Sequence, residues 1–355
     1  MRFSCQSAFV FLLTTLLPLS VAAFAQASGA PSDRVAVELN TSEAEAVLAI
    51  LDKKAAQRTV TDADWEKLFA TEPYIRLKKR EAAMHRDFTD EDFRRFVVSE
   101  ELQKRTPELR RTLEEWEKAD VAAAARRVLP YLPAEARIQP KVYPVIKPKT
   151  NSFVFEAGSN PAIFLYLDPN VTREQFENTV AHEMHHIGFA SIESETDARL
   201  SGLPPATKTA VEWMGAFGEG FAMLAAAGGP DLDPHAASNA KDRERWNHDM
   251  GNFASDLHTL DQFFLAILHG KFKSKEEIDQ KAYTFFGTQG PWYTVGYKMA
   301  VTIENQFGRA RLIECMADVR ELLPTYNQAA AEKSRKDGEN FALWSPELVA
   351  ALSGK

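Results

Sequence analysis

Three of the eight histidines of this 355-residue chain lie between residues 182 and 186. On an α-helix, His182 and His186 are one turn apart on the same face, so both imidazoles can bind one zinc ion. Glu183 lies at the edge of that face, about 100° from His182. Its carboxylate can there take a proton from a metal-activated water without being a ligand. The spacing predicts a zinc hydrolase with Glu183 as general base. His185 is predicted to lie off the metal face and to make an ordinary hydrogen bond.

A catalytic zinc site needs a third protein ligand. Phe189 and Ile192 stand where the metzincin pattern has glycine and histidine, so that subclass is excluded. A carboxylate from a following helix remains, and the candidates are Glu219 and Glu212. Glycines flank Glu219 on both sides, and glycine weakens a helix, so their use predicts close packing against the metal helix. Glu219 is the preferred ligand. Glu212 remains an alternative: it could bind the metal itself, or it could accept a hydrogen bond from one of the ligands.

The metal helix is predicted to begin at Thr172, which forms a capping pattern with Gln175, and to end near Ala190. Before it, β-type runs punctuated by prolines predict a small antiparallel sheet at residues 138–146, 152–155 and 162–167. The last run is expected to be an edge strand with which an extended substrate could pair. The fold class is therefore α+β, mainly helical, with the small sheet preceding the metal-binding helix. Helical periodicity covers residues 41–127, 206–227, 251–269 and 293–307.

The first 25 residues have the composition of a secretory signal peptide. Arg2 is the only early charge, an apolar run covers residues 8–19, and Ala23-Phe24-Ala25 offers small residues for cleavage after Ala25. The apolar run, about 12 residues long, is too short to span a bilayer. We expect a signal peptide at 1–25, an N-terminal helical region at 26–130 and a metal-binding domain at 131–355. The protein is then exported, periplasmic or secreted, with no integral membrane segment after cleavage.

Composition limits the partners. The formal net charge of the whole chain is −8, and loss of Arg2 with the signal peptide makes it −9, which argues against nucleic acid as a partner. Cys5 would be lost as well, so Cys315 remains as the single cysteine and no intramolecular disulfide is expected. The expected partner is a peptide or protein substrate, and the sequence leaves the oligomeric state open.

The segment from Phe217 to Ala222 resembles the gluzincins, zinc peptidases in which a glutamate downstream of the histidine motif is the third ligand. The chain looks most similar to a branch of predicted bacterial zinc-dependent peptidases, over roughly residues 140–330. This resemblance implies a zinc metallopeptidase and makes residues 131–355 a zincin-like metallopeptidase domain. In the gluzincin aminopeptidases a tyrosine three residues before a glycine donates to the oxyanion, and Tyr293 with Gly296 matches that pattern. Tyr293 is thereby implied as a second catalytic residue.

The sequence departs from the gluzincin patterns at two points. It has no match to the glycine-rich recognition strand of the aminopeptidases, so the resemblance does not imply exopeptidase activity. Met223 stands where thermolysin has an aspartate that supports a histidine, and Asp197 or Glu212 would have to replace it.

Two alternatives to peptide hydrolysis stay open. The same machinery would hydrolyse another amide or an ester. The chain could also be an exported binding module without catalysis, but Glu183 argues against this because a structural metal site needs no general base.

Overall fold

A computed structural model describes residues 31–193, 198, 200–338 and 340–352. The predicted signal peptide at 1–25 lies outside the described residues, and its cleavage stays a prediction. The described chain is mainly helical, with one small sheet. The helices before the second strand are α1 (Pro31–Arg34), α2 (Ser42–Ala55), α3 (Asp62–Phe69), α4 (Glu72–Ala83), α5 (Asp90–Val97), α6 (Glu100–Trp116) and α7 (Val121–Val128), followed by a 3₁₀ turn at Leu129–Tyr131.

The sheet has four described strands: β1 (Glu38–Leu39), β2 (Lys141–Val145), β3 (Phe153–Phe155) and β4 (Ala162–Tyr166). Their order across the sheet is β1-β2-β4-β3. β1, β2 and β4 run parallel to one another, and β3 runs antiparallel to β4. The class α+β, mainly helical, is confirmed, with the sheet directly before the metal-bearing helix.

The predicted antiparallel pairing is right for β3 with β4 and wrong for β2 with β4. Every residue of β4 is buried, and so are four of the five residues of β2. Strands covered on both faces are typical of parallel pairing, because helices pack on either side. β4 therefore lies inside the sheet, and its predicted position as an edge strand is wrong. β3 occupies that edge.

Helix α8 (Arg173–Ala190) follows β4 after a short turn and carries the histidine motif. Its predicted start is confirmed: Gln175 N donates to Thr172 Oγ1 at 3.2 Å, and Thr172 N donates to Gln175 Oε1 at 2.8 Å. Phe176, Val180 and Ile187 are buried on one side of α8, which leaves His182 and His186 on another face. The later helices are α9 (Pro205–Met214), α10 (Gly218–Ala227), α11 (Ala240–Gly251), α12 (Phe253–Leu268), α13 (Lys275–Tyr283), α14 (Pro291–Phe307), α15 (Arg309–Ala317), α16 (Leu322–Asp337) and α17 (Pro346–Leu352).

A continuous hydrophobic cluster connects these elements. Val47 of α2, Ile163 of β4, Val180 of α8 and Leu348 of α17 all belong to it. The region before residue 130 thus contributes to the same cluster as the rest, and it supplies β1 to the sheet. The division into regions at residue 130 stays a prediction. Within the described residues, every helix is too short or too polar to cross a membrane.

Glu43 of α2 is a fully buried carboxyl at the contact with the sheet. Its Oε2 accepts a hydrogen bond from Ile146 N at 3.0 Å, just after β2. Burial raises the pKa of Glu43 to about 8, although this hydrogen bond and the nearby Lys147 oppose the rise. The folded protein therefore holds a proton on Glu43 at pH values where the unfolded chain has released it.

This difference predicts how stability depends on pH. The folded pKa lies above the unfolded value, so the contribution of Glu43 is fully present below about pH 4.5 and is lost as the pH rises through about 8. Glu43→Gln keeps the hydrogen-bond acceptor and removes the titration. Between pH 4.5 and 8.5 the free energy of unfolding of the wild type should fall by on the order of 2–4 kcal/mol relative to the variant. Urea unfolding at both pH values measures this, and parallel pH profiles would contradict the expectation.

Candidate metal centre

His182, His186 and Glu219 meet where α8 packs beside the start of α10. His182 Nε2 lies 3.1 Å from His186 Nε2 and 3.1 Å from Glu219 Oε2, and His186 Nε2 lies 3.4 Å from Glu219 Oε2. Each residue offers one ligand atom to the group. The structure thus brings together the three residues that the sequence analysis proposed as ligands.

The size of this triangle fits zinc. Ligand atoms about 2.0–2.1 Å from a tetrahedral ion are separated from one another by about 3.3 Å. Hydrogen bonding explains the triangle less well, because each N–H group points at a single acceptor and three mutually close atoms cannot all be joined by straight bonds. Two imidazole nitrogens and one carboxylate oxygen are also a donor set that zinc accepts, leaving a fourth position for water or substrate.

The charges of the group stabilise one another. Burial opposes ionisation of Glu219, but His186 and His182 outweigh it and hold the pKa of Glu219 well below its ordinary value. Burial likewise opposes the charge on His186, yet Glu219 raises the pKa of His186 to about 8. Glu219 is therefore ionised at neutral pH, as a carboxylate ligand must be.

Glu183 lies next to the group without belonging to the triangle. Burial raises the pKa of its carboxyl, and so does the charge of Glu219, whereas His182 and His186 lower it. The net effect is a rise. A glutamate in this environment binds a proton more firmly than one on the surface, which suits a group that must accept a proton and later release it.

Glu212, the alternative third ligand, lies on α9 outside the triangle. Its side chain is 44% exposed and lies 4.0 Å from Lys208 Nζ. Among the described residues it does not join the metal group. Asp197, the other residue proposed to support a ligand, lies outside the described residues.

His185 faces away from the triangle, as its position on the helix indicates. Its side chain is 1% exposed and its ring packs on Phe189, with centroids 5.1 Å apart. The ordinary hydrogen bond predicted for it is wrong: neither ring nitrogen has a partner within the described parts of the chain. The reason is burial against Phe189, whose ring offers no hydrogen-bonding atom, and burial accordingly lowers the pKa of His185.

Tyr293, on the first turn of α14, lies beside His182. The two rings are nearly parallel, at 18°, with centroids 6.4 Å apart. Tyr297, one turn later, is 9% exposed, and its hydroxyl donates to Leu232 O at 3.4 Å. Its ring packs against Trp246. Of the two tyrosines, only Tyr293 is therefore placed next to the metal group.

The backbones of α10 and α14 touch where Gly220 crosses Gly296. A Cβ at Gly220 would overlap the backbone of Tyr297 and Gly296, and one at Gly296 would lie 2.6 Å from Phe217 O. The predicted packing of the Glu219 helix on α8 therefore exists, and the close backbone approach predicted from the glycines exists as well, but it is made with α14. Gly220 faces α14 rather than α8, and Gly218 has open space where its Cβ would be. The packing role of Gly296 was missed, although a small residue inside an apolar helix is a signal for such a contact.

Comparison with known proteins agrees with this geometry. Residues 65–335 match the family DUF5700, which is described as "putative zinc dependent peptidase". The chain belongs to this family. The DUF5700 match begins at Trp65. It therefore reaches further toward the N-terminus than the resemblance in the sequence motifs, which covers roughly residues 140–330. The curated proteins and the solved structures that were compared contain no match to the chain.

The helix crossing predicts different outcomes for two neighbouring glycines. Gly220→Ala should lower the free energy of unfolding by about 1–3 kcal/mol, because the new methyl group forces the α10 and α14 backbones apart. The same shift should displace Glu219 and weaken zinc retention. Gly218→Ala is the matched control, and its stability should stay within about 0.5 kcal/mol of the wild type or rise. Urea unfolding and zinc content after dialysis against a chelator measure both. Equal behaviour of the two variants would show that the crossing does not position the site.

Proposed function

We propose that this DUF5700 protein is a gluzincin-type metallopeptidase, with His182, His186 and Glu219 as zinc ligands. The observation that carries the proposal is the triangle of ligand atoms, whose edges of 3.1, 3.1 and 3.4 Å match a zinc coordination sphere. Glu183 beside this triangle favours catalysis over a purely structural metal. The third ligand comes from a helix downstream of the histidine motif, as in gluzincins.

Each residue has a defined part in the proposed reaction. Zinc held by His182, His186 and Glu219 would supply Lewis acidity to the substrate carbonyl and to water. Glu183 accepts the proton of the attacking water and returns it to the leaving amine. Tyr293 donates a hydrogen bond to the carbonyl oxygen as this oxygen becomes negative. The imidazoles of His182 and His186 and the ionised Glu219 keep their positions throughout.

A peptide is favoured over another amide or ester by the open edge of β3. β3 stands at the end of the strand order, and its outer edge pairs with no strand of the described chain. The hairpin after β3 lies against the end of α8, since a Cβ at Gly158 would be 3.6 Å from Ala190 O. An extended peptide can add to such an edge through backbone hydrogen bonds. β3 thus takes the substrate-pairing role that the sequence analysis gave to β4.

The compartment is part of the proposal. The charge, apolar run and small residues at 1–25 favour export, so the substrate would be a peptide or protein outside the cytoplasm.

Two variants separate catalysis from metal binding. Glu183→Gln should keep its zinc but lose at least about 10²-fold in turnover of casein or quenched peptides, because only the general base is removed. Glu219→Ala should lose both zinc and turnover, because two imidazoles alone hold zinc poorly against a chelator. Metal analysis after gel filtration, together with peptide turnover with and without chelator, measures both.

Glu212→Ala is the control for this pair and should keep zinc and turnover, since Glu212 lies outside the triangle. Zinc loss in Glu212→Ala with retention in Glu219→Ala would transfer the ligand role to Glu212. Wild-type turnover in Glu183→Gln would refute the proposed mechanism.

The two tyrosines of α14 provide a further matched pair. Tyr293→Phe should lower kcat by about 10²-fold with little change in KM or zinc content, because the lost hydrogen bond acts mainly in the transition state. Tyr297→Phe loses only the contact of its hydroxyl with Leu232 and should stay close to wild type. If Tyr297→Phe shows the large loss while Tyr293→Phe is silent, the oxyanion donor was assigned one helical turn too early.

A further inference from the structure

One face of the edge strand β3 is covered by cations. Phe153 and Phe155 are two residues apart and project to the same face. The Arg80 guanidinium lies 3.9 Å from the Phe153 ring centroid, and Lys147 Nζ lies 5.5 Å from it. The guanidinium of Arg76 and the Nζ of Lys79 lie 6.0 and 5.9 Å from the centroid of Phe155. Each ring on this face therefore has two cations over it.

The carboxylates nearby do not balance this charge. Glu156 pairs with Arg76 at 2.9 Å and also with Lys79. Glu81 pairs with Arg80 and lies 4.0 Å from Lys149 Nζ. Arg86 approaches Glu81 as well, at 3.7 Å, and adds to the excess of cations.

Lys147 is almost fully buried, at 4% exposed. Within the part of the chain that the structure describes, no carboxylate lies within 4 Å of its ammonium group. Its Nζ donates to Lys149 O and, at 2.9 Å, to Asn151 Oδ1. We define the cationic face of β3 as the five residues Arg76, Lys79, Arg80, Lys147 and Lys149. Burial lowers the pKa of Lys147 to about 7, so at neutral pH it carries only part of a charge. The other four cations still outnumber the two carboxylates, in contrast to the net charge of −8 for the whole chain.

The residues of the cationic face differ in their exposure to solvent. Arg76 and Arg80 are 6% and 5% exposed, and together with Lys147 they hold the strand and its preceding loop in place. The side chains of Lys79 and Lys149 are 64% and 63% exposed. These two ammonium groups are accessible to a molecule that approaches the open edge of β3.

We propose that the cationic face of β3 selects peptide substrates that carry Asp or Glu at alternating positions. The inference rests on the proposed peptidase function. A peptide added to β3 continues the pleat at a spacing of about 4.8 Å, so every second side chain points to the face that bears Phe153 and Phe155. An acidic side chain there meets Lys79 and Lys149, whereas Lys or Arg there meets charge of its own sign.

The test uses the zinc-loaded full chain and three quenched peptides that share one sequence. The peptides carry Glu, Gln or Lys at the alternating positions on one side of the cleaved bond. At 20 mM NaCl the wild type should prefer the Glu peptide over the Lys peptide by about tenfold in kcat/KM, and the preference should shrink at 300 mM NaCl. Lys79→Glu/Lys149→Glu should reverse it. Both lysines are largely exposed, so this variant is expected to fold.

Lys104→Glu/Lys118→Glu is the matched control, because it changes the net charge equally at two exposed lysines, one in α6 and one just after it. It should keep the preference for the Glu peptide. A reversal in this control, or an unchanged preference in Lys79→Glu/Lys149→Glu, would overturn the assignment of the cationic face.

Binding of the same peptides to Glu183→Gln separates this inference from the proposed function. A dissociation constant about tenfold lower for the Glu peptide than for the Lys peptide supports the cationic face, even if the wild type cleaves neither peptide. Absence of cleavage would then count against the peptidase. Cleavage or binding without any charge preference, or no binding at all, would refute the cationic face.

Discussion

The backbone contact between α10 and α14 at Gly220 and Gly296 is the constraint on which the candidate site depends. Glu219 is adjacent to the first glycine, and Tyr293 is three residues before the second. The two backbones are so close at this point that neither glycine could carry a Cβ without overlap. The carboxylate and the phenol are therefore fixed relative to each other, and α8 has to add only its imidazoles and Glu183. Rigid helices suit such a site because a catalytic arrangement tolerates little displacement.

The pKa values of two half-buried glutamates in this small volume are shifted in opposite directions by their surroundings. Burial raises the pKa of Glu183, whereas the imidazoles outweigh burial and lower the pKa of Glu219. Residues of the same type thereby become suited to different tasks, one as a permanently ionised ligand and the other as a group that exchanges a proton. Environments that separate the pKa values of two carboxyls are a general means of assigning acid and base roles.

Local sequence signals predicted the parts of the structure that depend on neighbouring residues. The four-residue spacing placed His182 and His186 on one helical face, and the capping pattern of Thr172 located the start of that helix. Strand pairing could not be derived in this way, because the partner and direction of β2 depend on residues far along the chain. The unbroken apolar run of β4 was nonetheless a sign of a central strand. Likewise, the glycine beside Glu219 indicated the close approach of another backbone, but it did not identify α14 as the neighbouring helix. Which of Glu219 and Glu212 lies beside the two histidines could be seen only in the structure, because both lie downstream at plausible helical positions.

Glu219 is separated from His182 by 37 residues, and packing alone brings the two together. An unfolded chain offers two histidines near one another without Glu219 beside them, so it binds zinc weakly. The affinity for zinc is therefore a property of the docked helices rather than of the motif. Occupancy of the site and integrity of the α8–α10 contact are thermodynamically linked, so bound zinc favours the docked arrangement and local separation of these helices releases the ion.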